Sequence, residues 1–386
     1  MNAVATTDVL QRRSRQAFIA GGAGLFVCLV ALFFARAEAF RAYWFGWVFW
    51  SGVGFGSLAL LLLQFLTGGA WSRFAQRPAE AGAMTIPAMG FLLLPALFGL
   101  RHIFPWMNPQ LWTEHAWPHK QAWLTPFWFV VRSLLYFAIL VPIALFARNH
   151  SRLVKSTGSA TDSLTLPGLG ALGLILYVLC MNFASLDWVM SLEPQWTSTI
   201  FSYVFMIGQF LAALACTVVL LMLLTNRATD AGLLEPKLMR DFGNLLLAFV
   251  MFWAYVSFSQ FLIIWSGNLP REISWYLHRR GGGWQAFVIF LAVVQFGAPF
   301  LLLLTRAAKQ HRWTLGPIAL LIFLANALAV YWQIAPSFPP ARPYTRVLDL
   351  AAFVGIGGIW IALYLRALAA GSLVPAEFFG KEAHRV

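Results

Sequence analysis

Five ionisable side chains stand at or near the ends of apolar blocks that follow one another along the chain: Arg101 and His102, then Arg132, then Asp187 and Glu193. An ionisable group at membrane depth is costly enough to be a functional hypothesis by default. A His beside a carboxylate can take up protons as a quinol head group is oxidised, while apolar helix faces around them hold its tail. The same residues have a structural use, in which Arg132 pairs with Asp187 or Glu193 and locks three helices together. Both readings stay open, and His102, Arg132, Asp187 and Glu193 form the candidate quinone or proton site.

The elements that must carry these groups follow from composition. Of 386 residues, 60% are hydrophobic and 11% are charged, where a soluble domain has roughly 25% charged. The apolar residues gather into blocks of about 20, long enough to cross the hydrocarbon of a bilayer. Only helices or closed barrels satisfy their backbone in lipid, and continuous blocks of this length are helices. The fold expected is an all-α polytopic membrane protein, one integral domain over 1–386. Its ten spans lie near 17–35, 42–66, 84–104, 125–147, 166–185, 199–224, 242–266, 284–305, 314–335 and 346–369. The early basic stretch and apolar run lack a convincing cleavage site and read as a first span rather than a signal peptide.

Ten spans put both termini on one side. The net charge of +13 would suggest nucleic acid in a soluble protein, but here the bases lie between apolar blocks and report topology. The larger share of Lys and Arg falls on the side of the termini, including Arg12, Arg13, Arg148, Arg227, Arg306 and Lys381. Positive loops stay inside, so both termini are expected to be cytoplasmic. Most of the 18 Trp fall in the opposite, outer segments. An aromatic belt explains many, yet a belt is two-sided, so these Pro-punctuated segments also suit an outer docking surface for a protein partner.

Other chemistry is sparse. Cys28, Cys180 and Cys216 are isolated, with no CxxC pattern. His115 and His119 have the spacing of a metal pair, but Pro118 between them argues for a loop, and no metal is assigned. The seven His lie in loops, in the tail or at a span end, so no bis-His haem is expected, nor any cofactor held covalently or by metal ligands. Tyr255, Ser259, Gln260, Gln295, Asn326 and Gln333 could line a water path, although interhelical hydrogen bonds explain them as well. Asp241 and Asp349 suit helix starts, and glycines such as Gly56 and Gly358 suit close helix packing.

Three motifs carry a resemblance. LDWVMSLEPQWTST at Leu186 to Thr199, FSQFLIIWSGNLP at Phe258 to Pro270, and WYLHR at Trp275 to Arg279 resemble the ActF-type integral subunit of alternative complex III, a bacterial quinol:cytochrome c oxidoreductase. The resembling residues include Trp188, Pro194, Trp196, Gln260, Trp265, Asn268, Pro270 and His278. The resemblance implies an NrfD/polysulfide-reductase-like fold, in which two four-helix bundles lie between flanking helices. It implies an electron-transport role in the respiratory chain of the bacterial inner membrane, as a subunit that is either non-catalytic or quinone-associated. The implied partners are a second NrfD-like integral subunit, a multihaem cytochrome c, an iron–sulfur protein and small lipoprotein or cytochrome subunits. In the family the quinol site belongs to the other integral subunit, and the ActF-type subunit is implicated in assembly and proton movement.

One departure is visible. Where the family commonly has His in Ser-Leu-Glu-Pro-His-Trp, this chain has Gln195, which cannot titrate. The alternative from a different class is a secondary transporter, for which ten spans with internal polar groups are also suited. Transporters commonly show Gly/Pro-interrupted spans at corresponding positions of two halves, and no such pair is evident in the sequence.

Overall fold

The computed structural model describes residues 3–114, 118–157, 160–224, 236–338 and 347–370. His115, Trp117 and the loop or tail bases Arg227, Arg342, Arg346, Lys381 and Arg385 lie outside the described residues. Among those described there are no strands, and ten helical segments are long and apolar enough to cross a membrane. They are Thr7–Phe34, Arg36–Thr67, Trp71–Phe98, Pro126–His150, Pro167–Leu192, Phe201–Leu224, Pro236–Gly267, Trp284–Leu304, Arg312–Ser337 and Val347–Ala369. The chain is thus a multi-pass membrane protein by length and composition of its helices.

The spans sort into two groups of four. The second to fifth pack on one another, as do the sixth to ninth, and the first and tenth flank them as a closely packed pair. The second span is the hub, 89% buried in its most apolar window and packed on spans of both groups. Its approach to the sixth span depends on Gly56, where any Cβ would collide with the backbone carbonyl of Gln209. Small residues permit this kind of close packing where no water exists to drive helices together.

The third span departs from the sequence expectation of one block at 84–104. It starts earlier and is broken into short helices, Ala70–Ala83, Ile86–Phe91, Leu94–Phe98 and Leu100–Ile103. Charges at Arg73, Arg77 and Glu80 hid the earlier start. The fold neutralises two of them, since Arg77 pairs with Glu80 at 3.3 Å and also donates to the Ala367 carbonyl. Pro87 and Pro95 open the later turns, because proline cannot donate to the carbonyl one turn back. Aromatic donors from the second span cover the exposed backbone: the Tyr43 hydroxyl donates to the Leu92 carbonyl at 2.6 Å and Trp47 Nε1 to Met89 at 2.9 Å. The eighth span is interrupted too, by a π turn at Ala292–Gly297 just before Pro299.

Most of the tryptophans expected on an outer docking surface are inside the protein. Trp44, Trp47, Trp188, Trp196 and Trp284 are fully buried, and Trp50, Trp106 and Trp275 nearly so. Their indoles staple helices together: Trp44 Nε1 donates to the Trp188 carbonyl, Trp50 Nε1 to Phe353, and Trp188 Nε1 to Ser133 Oγ. The indole supplies both a large apolar face and one donor for a carbonyl freed at a helix end. Trp265 remains outside, 64% exposed. The reading of His115 to His119 as loop also changes in part, since Pro118 opens a short helix, Pro118–Trp123, as proline can at a first helical position.

Candidate functional site

Spans alternate in direction, so the third, fifth, seventh and ninth finish at the end of the bundle away from the termini. The chain from 186 to 200 crosses this end from one four-helix group to the other, and it places one carboxylate in each.

In the first group Asp187 is wholly buried. Its Oδ2 accepts from Arg132 Nε at 2.9 Å and from the Tyr136 hydroxyl at 2.6 Å; its Oδ1 accepts from Arg132 Nη2 at 2.8 Å and Trp123 Nε1 at 3.0 Å. The guanidinium also lies 4.0 Å from the centre of the Trp123 ring. Four donors occupy the carboxylate, and a bidentate Arg pair fixes its plane. This is the geometry of a lock between the fourth and fifth spans.

In the second group Glu193 sits among His278, Arg279 and Ser337. Its Oε2 is 3.0 Å from His278 Nδ1, while Oε1 accepts from Arg279 Nη1 and, at 2.9 Å, from Ser337 Oγ. Burial by itself pushes the Glu193 carboxyl up. The hydrogen bond from His278, the Arg279 charge and hydrogen bond, and the Ser337 hydroxyl bring it below its ordinary value. The hydrogen bond to Glu193 raises the His278 imidazole against the opposing effect of burial. Arg279 is buried and held by carbonyls of Trp275, Trp332 and Gln333, with its guanidinium 3.7 Å from the Trp275 ring centre. Burial lowers its affinity for the proton, with Glu193 opposing.

His102 joins neither group. It stacks on Phe40, with ring centroids 5.6 Å apart and planes 5° apart, and its carbonyl accepts from Arg41 Nε. The five charges foreseen as one constellation are therefore divided. The reason is rotational: helices that end at one level still point their side chains to different sides.

Beside the Glu193 and Arg279 cluster lies a cavity of about 590 Å³ between the sixth, seventh, eighth and ninth spans. Its walls are largely aromatic, including Phe201, Trp253, Phe258, Trp275, Tyr276 and Trp332. Tyr255 and Phe258, both strongly exposed, stand where it opens on the flank of the bundle. Four buried polar atoms in its lining have no hydrogen-bond partner among the described residues: Ser257 Oγ, Gln260 Oε1, Trp332 Nε1 and Gln333 Oε1. Unpartnered buried polar atoms in a wall are costly and mark a place for a ligand or water. Gln260 also hydrogen-bonds the Tyr276 hydroxyl, whose proton burial holds well above its ordinary range of release. The Gln333 carbonyl ties this wall to Arg279.

No protein-family model and no curated protein matches this chain. Among the described residues no group of His, Cys, Asp or Glu is placed to hold a metal ion.

The residues of the three sequence motifs take distinct parts. Trp188 is core, the Pro194 carbonyl accepts from Lys120 Nζ at 2.6 Å, and Trp196 stacks on Trp275 at 4.8 Å. Gln260 lines the cavity. Asn268 ends the seventh span with φ of 45°, a left-handed turn that Asn tolerates, and its N–H caps the Ile264 carbonyl. Pro270 then opens the helix Pro270–His278, which delivers Trp275, Tyr276 and His278 together. Arg279 was missed as a site residue. The signal was present in its spacing, since Trp275 and Arg279 are four apart and meet on one helical face.

Proposed function

We propose that the chain is a quinone-binding integral subunit of a bacterial respiratory quinol-oxidising complex, with the ring seated in the cavity between the sixth and ninth spans. The observation that supports it most is the pairing of a flank-opening aromatic cavity with free polar atoms of both kinds. Gln260 Oε1 and Gln333 Oε1 can accept from quinol hydroxyls, and Trp332 Nε1 and Ser257 Oγ can donate to quinone carbonyls. A lateral mouth suits a ligand that arrives from the lipid, and the volume falls in the usual range for a small-molecule site. The quinone, when bound, supplies the two-electron, two-proton chemistry. The chain's own residues bind and orient: the aromatic walls exclude water, and Arg279 holds the Trp275, Trp332 and Gln333 backbone in place. Glu193, kept ionised by its three donors, anchors that arginine.

In this reading the chain sits in the inner membrane with both termini cytoplasmic. Its partners are a second integral subunit of the same kind, a multihaem cytochrome c, an iron–sulfur protein and small lipoprotein or cytochrome subunits. The test is quenching of tryptophan fluorescence by a short-tailed quinone in the purified chain. Replacing Gln260 and Gln333 together by Leu removes two hydrogen bonds of about 1 kcal/mol each, so affinity should fall by about tenfold or more. Failure of the unaltered protein to bind, or equal binding by the double variant, refutes the site.

A transporter reading finds one supporting observation, the breaks in the third and eighth spans. The third is the second member of its four-helix group and the eighth the third member of the other, so the breaks do not correspond. A cavity with no charged side chain in its wall also gives a polar solute little to bind.

A further inference from the structure

His102 has no part in the quinone cavity or in the Asp187 lock, yet it lines a cavity of its own. About 340 Å³ of space lies between the first span, the start of the second and the end of the third. The first span packs on the tenth and the second, and the end of the third packs on the second, so the wedge lies over the second span between the first and the third. Its floor and sides are Leu29, Leu32, Phe33, Phe40 and Phe98. Phe33 and Phe98 are 81% and 89% exposed, so the wedge opens sideways toward lipid.

At the interfacial end of this furrow stand Arg36 and His102, and no carboxylate lines it. The Arg36 guanidinium makes no ion pair and the His102 ring no hydrogen bond among the described residues. The imidazole is nonetheless held in place, stacked on Phe40, with the Arg41 side chain fixing its backbone. Two free donors at headgroup level above an apolar furrow match a molecule with an anionic phosphate and long hydrocarbon chains.

We propose that this wedge is a binding site for an anionic phospholipid, its phosphate between Arg36 and His102 and its acyl chains along Leu29, Leu32, Phe33 and Phe98. A free phosphate would satisfy the donors but leave the furrow empty, so the occupant is the lipid.

The experiment is native mass spectrometry of the full chain, delipidated in mild detergent and titrated with phosphatidylglycerol. The unaltered protein should keep one lipid at low micromolar concentration, and the double variant Arg36→Gln, His102→Gln should need about tenfold more. Arg280→Gln, at an exposed base of the same end, should bind like the unaltered protein. Arg36→Glu, altering a single exposed residue, should reverse the preference for anionic lipid without lowering the unfolding temperature. Equal retention by the double variant overturns the site. Displacement by millimolar inorganic phosphate, or equal retention of uncharged diacylglycerol, overturns the assignment of a phospholipid.

Discussion

Asp187→Ala distinguishes a lock from a proton site at the end of the fifth span. The carboxylate accepts four hydrogen bonds from Arg132, Tyr136 and Trp123 and is wholly buried. Bonds to a charged partner contribute about 1.5–3 kcal/mol each, but a sum over four overshoots, because Arg132 keeps its place over the Trp123 ring. The governing quantity is the cost of leaving one largely buried guanidinium without its anion, about 3–5 kcal/mol. Replacing both partners, Asp187→Leu with Arg132→Met, removes the charge together with its need, and stability should return to within about 1–2 kcal/mol of the unaltered protein. Unfolding of the detergent-solubilised unaltered chain, Asp187→Leu, Arg132→Met and the double variant measures the coupling. Quinone affinity of the double variant should stay unchanged, since the cavity lies in the other four-helix group. A double variant as unstable as Asp187→Ala refutes the lock. A stable double variant that has lost quinone binding refutes the division of the two sites.

Gly56→Ala should separate the two four-helix groups, because the new Cβ meets the Gln209 carbonyl, which is backbone and cannot turn aside. Overpacking costs about 1–3 kcal/mol, read as a lower unfolding temperature, whereas Gly22→Ala, with nothing near its Cβ, should change little. The bridge between Glu193 and His278 should make the helix Pro270–His278 sensitive to pH. The His278 value is raised, so its contribution is complete below the ordinary imidazole value of 6.5 and is lost as pH climbs through the raised one. The Glu193 value is lowered, so its contribution is complete above 4.5 and is lost as pH falls through the lowered one. Amide exchange in Pro270–His278, corrected for intrinsic rates, should therefore quicken on the alkaline side. His278→Gln should remove that step, and an unchanged step in the variant would contradict the assignment.

Span number and the need of Arg132 for an acid, Asp187 or Glu193, could both be read from the residues for the same reason, and the structure selects Asp187. Lipid leaves apolar length as the dominant constraint, and an isolated arginine in a span must find an acid nearby. The start of the third span could not, because Arg77 and Glu80 resemble a loop until their mutual neutralisation is seen. His102 shares a level with Asp187 but faces Phe40 instead, and level alone carries no rotation. The tryptophans misled more deeply. Composition shows their gathering at one end but not whether each indole points to a partner or to a carbonyl within its own chain, and Trp44, Trp47 and Trp188 point inward. The cavity could not be foreseen, since Gln260, Trp332 and Gln333 are distributed over two spans and only packing shows that their polar atoms lack partners.

The seam between the first and tenth spans sets an order of assembly. The first span has only 17% of its most apolar window buried, and its main fastening is to the tenth span, with a smaller contact on the second. Gly21 and Gly358 admit the two backbones to direct contact, and the Ser14 hydroxyl reaches the Ala362 carbonyl 348 residues away. During synthesis the first span has its main partner only when the tenth has entered. Until then only its smaller contact with the second span holds it, and lipid covers the rest of its apolar surface. A chain stopped short of residue 347 would leave this helix without its main partner, a mark by which membrane proteases could tell it from a molecule that has its tenth span.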